Sequence, residues 1–160
     1  HKYIVVEKSL KKIERNMDAI GEHFPPVALD GIYNDQGPEF WVSGFWPGLL
    51  WLLYEETKDE KALALARRLE DRLHVVLDDF VTLHHDVGFM WLPSAVIDYK
   101  LTGNKTSRVD GLKAASHLAG RTVYPGMDRW SQSSLQRLDH HWLPDESFLI
   151  ILGFQRDGWS

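Results

Sequence analysis

Apolar side chains recur at steps of three and four residues in two long stretches of the chain. The first stretch predicts a helix that ends near Gly21, and its apolar stripe comprises Val6, Leu10, Ile13, Met17 and Ile20. The second stretch follows a turn at Lys58-Asp59, and its stripe comprises Ala62, Leu65, Leu69, Leu73 and Val76. Both patterns are typical of helices that turn one face to a core and the other to water.

Three further helices are predicted in the middle of the chain. Pro47 suits the first turn of a mostly apolar helix that runs to about Thr57. A second apolar helix is expected from Phe89 to Leu101, despite Pro93 near its start. A polar-faced helix is expected over Ser107 to Ala119, after a turn at residues 102–104.

The order of these helices predicts an all-α fold. Residues 24–44 are rich in Pro, Gly, Asn and Asp and are expected to form a long loop. No segment before Arg121 alternates polar and apolar residues over any length. Because a loop, an apolar helix, a turn and a polar-faced helix recur as a unit, we expect an inner and an outer helix layer. The loops before the two apolar helices should then open at the same end.

Composition limits the class of protein. The chain has 160 residues, 44% of them hydrophobic, which is enough for one domain with a core. It has no cysteine, and its net charge of -5 argues against a nucleic-acid partner. It shows no apolar run of the roughly 20 residues that span a membrane and no signal peptide, so a cytoplasmic location is expected.

Two short segments carry the candidate chemistry. Leu83-His84-His85-Asp86-Val87-Gly88-Phe89 places a carboxylate beside two imidazoles just before an apolar helix. Trp41-Val42-Ser43-Gly44-Phe45-Trp46-Pro47-Gly48 places two tryptophans at the start of another. An acid close to an aromatic surface is a common arrangement for binding a sugar ring.

Each of these residues also has a purely structural interpretation. Asp86 could cap the helix that follows it, which need not prevent it from contacting a sugar. The two adjacent histidines are poorly placed to share a metal ion, and no third ligand is spaced for one, so no metal site is expected. We interpret Trp41 as an aromatic platform because it precedes its helix, and Trp46 as a packing residue.

The same motifs resemble those of glycoside hydrolase family 88, the unsaturated glucuronyl hydrolases. The resemblance rests on Trp-x-x-Gly-Phe-Trp-x-Gly at 41–48, on Leu-Trp-Leu-x-Tyr-Glu at 50–55 and on His-His-Asp-x-Gly-Phe at 84–89. It covers roughly residues 5 to 120. It implies an (α/α)6 barrel, a toroid of six helical hairpins, of which residues 1–120 would supply the first hairpins as a partial barrel.

The resemblance also implies an activity. Enzymes of this family hydrate the 4,5-double bond that polysaccharide lyases leave in a terminal uronic acid, as in glycosaminoglycan breakdown. The partner would be an unsaturated uronic-acid oligosaccharide, and no cofactor is needed. By this likeness Asp86 is the first catalytic-site aspartate, which grips the ring, and Trp41 stacks on the sugar. We interpret His85, next to Asp86, as a residue that orients Asp86 or a sugar hydroxyl.

The family's second aspartate, the proton donor, belongs to a later motif similar to Ile-Ile-Asp-Cys-x-x-Asn-Leu-Pro-Leu-Leu, which this sequence lacks. Shifting the codons of the tail by one nucleotide can produce Ile-Ile-Ile-Gly-Cys-Leu-Met-Asn-Leu-Ser-Leu-Leu from Asp139 onward. In that frame Trp142-Leu143 must encode Gly where the family has the aspartate. We therefore expect residues 121–160 to be a non-family tail, out of frame and poorly ordered.

These observations lead to one main hypothesis and one alternative. The chain is expected to be a truncated glycoside hydrolase of the unsaturated glucuronyl type, inactive because its proton donor is missing. The alternative is a non-catalytic all-α fragment that binds sugar or protein through the same Trp-rich face. The sequence leaves the oligomeric state and the particular substrate open.

Overall fold

Six α-helices account for most of residues 2–120, the part of the chain that the computed structural model describes. In chain order they are α1 Lys2–Ile20, α2 Phe45–Thr57, α3 Glu60–Asp79, α4 Val87–Trp91, α5 Ile97–Thr102 and α6 Lys105–Gly120. A π-helical turn, Leu92–Val96, joins α4 to α5, so that the two form one continuous helix. The expected tail, residues 121–160, lies outside the described residues.

The helix boundaries have local causes. Lys58 adopts the left-handed conformation, with φ 57°, and ends α2. The carboxylate of Asp59 then accepts a hydrogen bond from the amide of Lys61 at 2.8 Å and caps α3. Asn104 caps α6 in the same way through Thr106 at 3.1 Å, which explains why this helix begins two residues before the predicted Ser107.

The predicted long loop contains short regular elements. Strands β1 Ala28–Leu29 and β2 Ile32–Tyr33 form a small antiparallel hairpin. Asp30 and Gly31 connect them with φ values of 50° and 78°, which makes Asp-Gly a favourable pair for this turn. A 3-10 turn at Trp41–Gly44 then leads directly into α2. The all-α assignment stands, with this hairpin as a minor addition.

Pro93 is accommodated by the π-helical turn. Proline lacks the amide hydrogen that a regular helix needs and crowds the carbonyl four residues earlier. The wider turn lets the helix continue past it, and the hydroxyl of Ser94 donates to the carbonyl of Met90 at 2.5 Å. The helix predicted from Phe89 to Leu101 is therefore observed, although it begins at Val87 and is not regular throughout.

The core lies between the apolar helices and the amphipathic ones. Helix α2 packs against α3 and the π-helical turn, and α6 packs against α4 and the same turn. The most buried large side chains come from α2, α3 and α4 and from the loop after α1: Trp51, Trp91, Phe24, Leu50, Leu53, Leu69, Leu73 and Met90. This agrees with the predicted inner and outer layers. None of the helices between residues 2 and 120 is long and apolar enough to cross a membrane.

A buried polar network links four helices across this core. The indole of Trp51 on α2 donates to Oε1 of Glu70 on α3 at 2.5 Å. The hydroxyl of Ser107 on α6 lies 3.3 Å from Oε2 of Glu70 and 2.6 Å from Oδ2 of Asp98 on α5. Arg67 approaches the other oxygen of Asp98 at 3.2 Å. The two carboxyl groups are thus joined through one hydroxyl.

The network keeps its two acids in different protonation states. Burial, together with the nearby charge of Asp98, raises the pKa of Glu70 to about 8. Burial also acts to raise the pKa of Asp98, but hydrogen bonds from Ser107, Thr102, Arg67 and Asn104 lower it overall. At neutral pH a protonated Glu70 can donate to Ser107, which donates to the Asp98 carboxylate. Both buried carboxyl groups then have a hydrogen-bond partner.

This arrangement predicts a pH-dependent stability that Glu70→Gln removes. Unfolded Glu70 loses its proton near 4.5, its ordinary value, whereas the folded chain holds it until about pH 8. The free energy of unfolding of the wild-type chain should therefore fall relative to that of Glu70→Gln as pH rises from 4.5 to 8, and stay lower above that window. Urea unfolding at a series of pH values measures this. The matched control is Glu55→Gln on the exposed face of α2, and parallel wild-type and Glu70→Gln curves would contradict the assignment.

Candidate functional site

The acidic loop of the candidate site connects α3 to α4. Phe80 ends α3 with a positive φ of 60°, and buried Leu83 anchors the loop to the core. Asp86 then occupies the position before the first residue of α4, and its carbonyl accepts the amide of Phe89 at 2.9 Å. Its backbone thus begins the helix, two residues earlier than the predicted start at Phe89.

The carboxylate of Asp86 does not cap this helix. It makes no hydrogen bond to the amides of α4. Instead its Oδ2 lies 3.4 Å from Nδ1 of His84 and 3.5 Å from Nε2 of His85. The side chain is 22% exposed, so a ligand can reach it. The structural interpretation of Asp86 as a capping side chain is therefore not what the structure shows.

An exposed aromatic cluster lies beside this loop. Trp41 is 43% exposed, and its ring meets the rings of Phe45 and Phe89 edge-on, with centroid distances of 5.9 Å and 6.3 Å. The Phe45 and Phe89 rings are 6.2 Å apart. Trp46, in contrast, is 5% exposed, and its indole donates to the carbonyl of Gly21 at 2.9 Å. The structure thus places Trp41 at the surface and Trp46 in the packing.

Close backbone contact brings the two segments together. A Cβ atom on Gly44 would collide with the carbonyl oxygens of both Phe89 and Met90. Only glycine permits this approach of the 3-10 turn to α4. Because Trp41 begins that turn and Asp86 directly precedes α4, the contact holds both at the same end of the helices. This agrees with the expectation that the two loops open on one face.

The geometry also identifies aromatic residues that the motif analysis does not assign to the site. Phe45 follows Trp41 by one helical turn and Phe89 follows Asp86 by three residues, so both rings project beside the predicted residues. This spacing is the sequence signal that could have identified them. His85 lies where the sequence predicts, against Asp86. Among residues 2–120, no three His, Asp or Glu side chains gather closely enough to hold a metal ion.

The combination of groups is suited to a hydroxylated ring. The edge-on aromatic rings expose an apolar surface of the kind on which the C–H face of a sugar packs. A partly exposed carboxylate accepts hydrogen bonds from hydroxyl groups, and charge strengthens such bonds. His85 adds a further polar group at the edge. Within this helical fold the arrangement is chemically able to contact a carbohydrate ring.

Comparison with known proteins leads to the same class. The chain is 40% identical over 119 residues to the unsaturated chondroitin disaccharide hydrolase of Streptococcus pyogenes serotype M1, a match that covers 72% of the chain and 30% of the relative. It is 32% identical over 153 residues to the enzyme of the same name from Streptococcus pneumoniae, covering 91% and 37%. No known family profile matches the chain.

The solved structures agree. A crystal structure of an aspartate-to-asparagine mutant of unsaturated glucuronyl hydrolase from Streptococcus agalactiae, complexed with dGlcA-GalNAc6S, superposes with a TM-score of 0.66. That match has 33% sequence identity and covers 73% of this chain and 32% of the other. The chain spans about a third of the length of the curated relatives that it matches.

These comparisons identify the class of protein. The described helices form part of an α/α toroid of the glycoside hydrolase class. More particularly, the N-terminal part of the chain is homologous to the unsaturated glucuronyl hydrolases. The resemblance of residues 5–120 to this class of enzyme is thereby confirmed for the N-terminal part of the chain.

The Gly44 contact predicts a sharp response to Gly44→Ala. The added methyl group must push the 3-10 turn away from α4, because both neighbouring atoms belong to the backbone. Overpacking of this kind costs about 1–3 kcal/mol, so the free energy of unfolding should drop by that amount. Denaturant unfolding measures it, with Glu56→Ala on the exposed end of α2 as the control. An unchanged unfolding midpoint would mean that the two segments are not in contact.

Proposed function

We propose that this chain carries the substrate-gripping part of an unsaturated glucuronyl hydrolase site. Its ligand is the unsaturated uronic acid at the end of a lyase-generated oligosaccharide. In this proposal Trp41 stacks on the sugar, Asp86 accepts hydrogen bonds from its hydroxyl groups, and His85 orients Asp86 or a hydroxyl. The names of the homologous enzymes, which specify unsaturated disaccharides, support this ligand class.

One observation supports the proposal most directly. Asp86 begins a helix to which its carboxylate makes no hydrogen bond, and the Gly44 contact holds the exposed Trp41 at the same end of that helix. A capping aspartate and a core tryptophan would show the opposite pattern. A capping side chain stabilises a helix by roughly 0.5–2 kcal/mol, and α4 lacks this stabilisation from Asp86.

Turnover requires more than this grip. Hydration of the 4,5-double bond begins when an acid delivers a proton to C4, while a water molecule adds its oxygen to C5 and gives up a proton. The hemiketal that forms opens and releases the next sugar. In the proposal Asp86 binds the ring, and the proton donor of the family is absent from this sequence. We therefore propose that the chain binds the substrate and does not convert it.

The proposal predicts binding without turnover. Isothermal titration with an unsaturated chondroitin disaccharide should show binding, whereas the absorbance of its double bond should persist, because losing a general acid typically costs about 10²–10⁴-fold in rate. Asp86→Asn should weaken binding by about tenfold or more, since a hydrogen bond to a charged group contributes about 1.5–3 kcal/mol. Trp41→Ala should also weaken binding, because the sugar loses the aromatic surface on which it packs.

Phe80→Ala is the matched control for Trp41→Ala. Phe80 is also an exposed aromatic residue, but it lies at the end of α3, outside the cluster formed by Trp41, Phe45 and Phe89. Its replacement should leave the affinity unchanged. Equal affinity for wild type and both site variants would exclude this site, and loss of the double-bond absorbance at an enzymatic rate would show that the chain has its own proton donor.

A second candidate function is non-catalytic binding of a protein through the same face. The observation in its favour is an exposed apolar stripe along α2, formed by Phe45, Leu49 and Leu52. Larger exposed apolar patches are typical of protein contacts. Replacing Leu49 and Leu52 with Ser should abolish such a contact and leave disaccharide binding intact. The two functions are therefore separable by one double variant.

We further propose that residues 121–160 are translated out of frame and do not belong to the hydrolase domain of residues 1–120. The shifted-codon match to the missing motif supports this. In contrast, the alignment with the Streptococcus pneumoniae relative covers 91% of the chain and so extends beyond residue 120 in the present frame. The nucleotide sequence around codon 121 decides between the two possibilities. A tail that fits the family better in its present frame would exclude the shift.

A further inference from the structure

His84 connects the two loops of the candidate site. Its Nε2 lies 3.2 Å from the carbonyl oxygen of Glu39, two residues before Trp41. Its Nδ1 lies 3.2 Å from the backbone amide nitrogen of Asp86. The imidazole is partly buried between the loop that precedes the 3-10 turn and the loop that precedes α4. Neither the motif assignments nor the role given to His85 accounts for this position.

The two contacts together select one form of the ring. A carbonyl oxygen only accepts a hydrogen bond, so the nitrogen facing Glu39 must carry a proton. An amide only donates, so the nitrogen facing Asp86 must be unprotonated. A neutral imidazole with its proton on Nε2 satisfies both contacts at once. The other neutral tautomer satisfies neither.

The charged form of the ring would change the position of Asp86. Nδ1 of His84 lies 3.4 Å from the Oδ2 of Asp86, close to its distance from the amide of the same residue. A protonated Nδ1 would donate to that carboxylate and lose the amide. The neutral form leaves the carboxylate open to His85 and to a ligand. The choice of tautomer therefore affects how Asp86 is presented.

We propose that His84 is a positioning residue, which in its neutral, Nε2-protonated form bridges Glu39 and Asp86 and so fixes Trp41 and Asp86 relative to one another. The expected effect of His84 on substrate binding rests on the proposed function. His84 itself acts on the site through the two loops. When the loops are held in place before binding, less conformational entropy is lost as the ligand binds. The geometry of the bridge stands independently of any sugar.

The tautomer is tested first, on the unmodified chain without a ligand. Long-range proton–nitrogen NMR of histidine-labelled protein at mildly alkaline pH should show His84 protonated on Nε2 alone. Hydrogen exchange should show a protected Asp86 amide, and His84→Ala should speed its exchange. Protonation on Nδ1, or exchange of the Asp86 amide that does not change in His84→Ala, would overturn the proposal. The first measurement needs no variant, so a failure of His84→Ala to fold does not remove the test.

Two conservative variants separate the halves of the bridge. The amide of His84→Asn lies near the position of Nδ1 and can still accept the Asp86 amide, whereas that of His84→Gln reaches toward Glu39. His84→Asn should therefore keep the Asp86 amide protected and His84→Gln should not. A merely structural role would make the two variants equivalent. His23→Ala, an exposed histidine in the loop after α1, is the control and should change neither readout.

Affinity for an unsaturated chondroitin disaccharide is measured last. His84→Ala should weaken it by roughly two- to tenfold, the range expected for losing the immobilisation of one or two side chains. If the wild-type chain binds no disaccharide, the proposed function fails and the tautomer and exchange results alone decide the role of His84. If the wild type binds and His84→Ala binds equally well, the bridge does not position the site.

Discussion

The approach of Gly44 to the carbonyls of α4 is the constraint on which the candidate site depends. It brings the 3-10 turn with Trp41 against the beginning of the helix that follows Asp86. No side chain on either segment could substitute for it, because the contact is between backbones. A second close approach continues the same seam one turn further along α2, where a Cβ atom on Gly48 would lie 2.8 Å from the Cβ of Pro93. The end that carries the candidate site is thus a product of how tightly the 3-10 turn packs against α4 and α2 packs against the π-helical turn.

The polar groups of the chain are divided between two places with different demands. Around Glu70, Ser107 and Asp98 each polar group needs a hydrogen-bond partner, since a buried polar group without one is costly. The proposed function requires the opposite around Asp86, whose carboxylate would need to keep hydrogen-bonding capacity for a ligand. Asp98 receives bonds from four side chains, whereas Asp86 leaves its own helix uncapped. This contrast distinguishes a structural acid from a candidate site acid along one helical segment.

Much of the fold could be predicted from the sequence because helical periodicity is a local signal. The stripes of α1 and α3 mark these helices well, and Lys58 and Asn104 lie where helices end or begin. The hairpin at Asp30-Gly31 carries a recognisable turn signal that an interpretation of the segment as plain loop overlooks. The partners of Glu70 come from residues far along the chain, so no spacing rule reveals them. The same holds for His84, whose bridge to Glu39 spans 45 positions.

The π-helical turn has a consequence for the phase of the helix that contains it. A regular helix advances about 100° per residue, so a turn that accommodates one extra residue rotates everything after it by about that angle. The direction in which side chains before Pro93 project is therefore set by contact with the 3-10 turn and the aromatic cluster. The direction of those after Pro93 is set by the alignment of Asp98 with Ser107 and Arg67. One continuous helix can in this way meet two geometric demands that a single regular phase would not satisfy together.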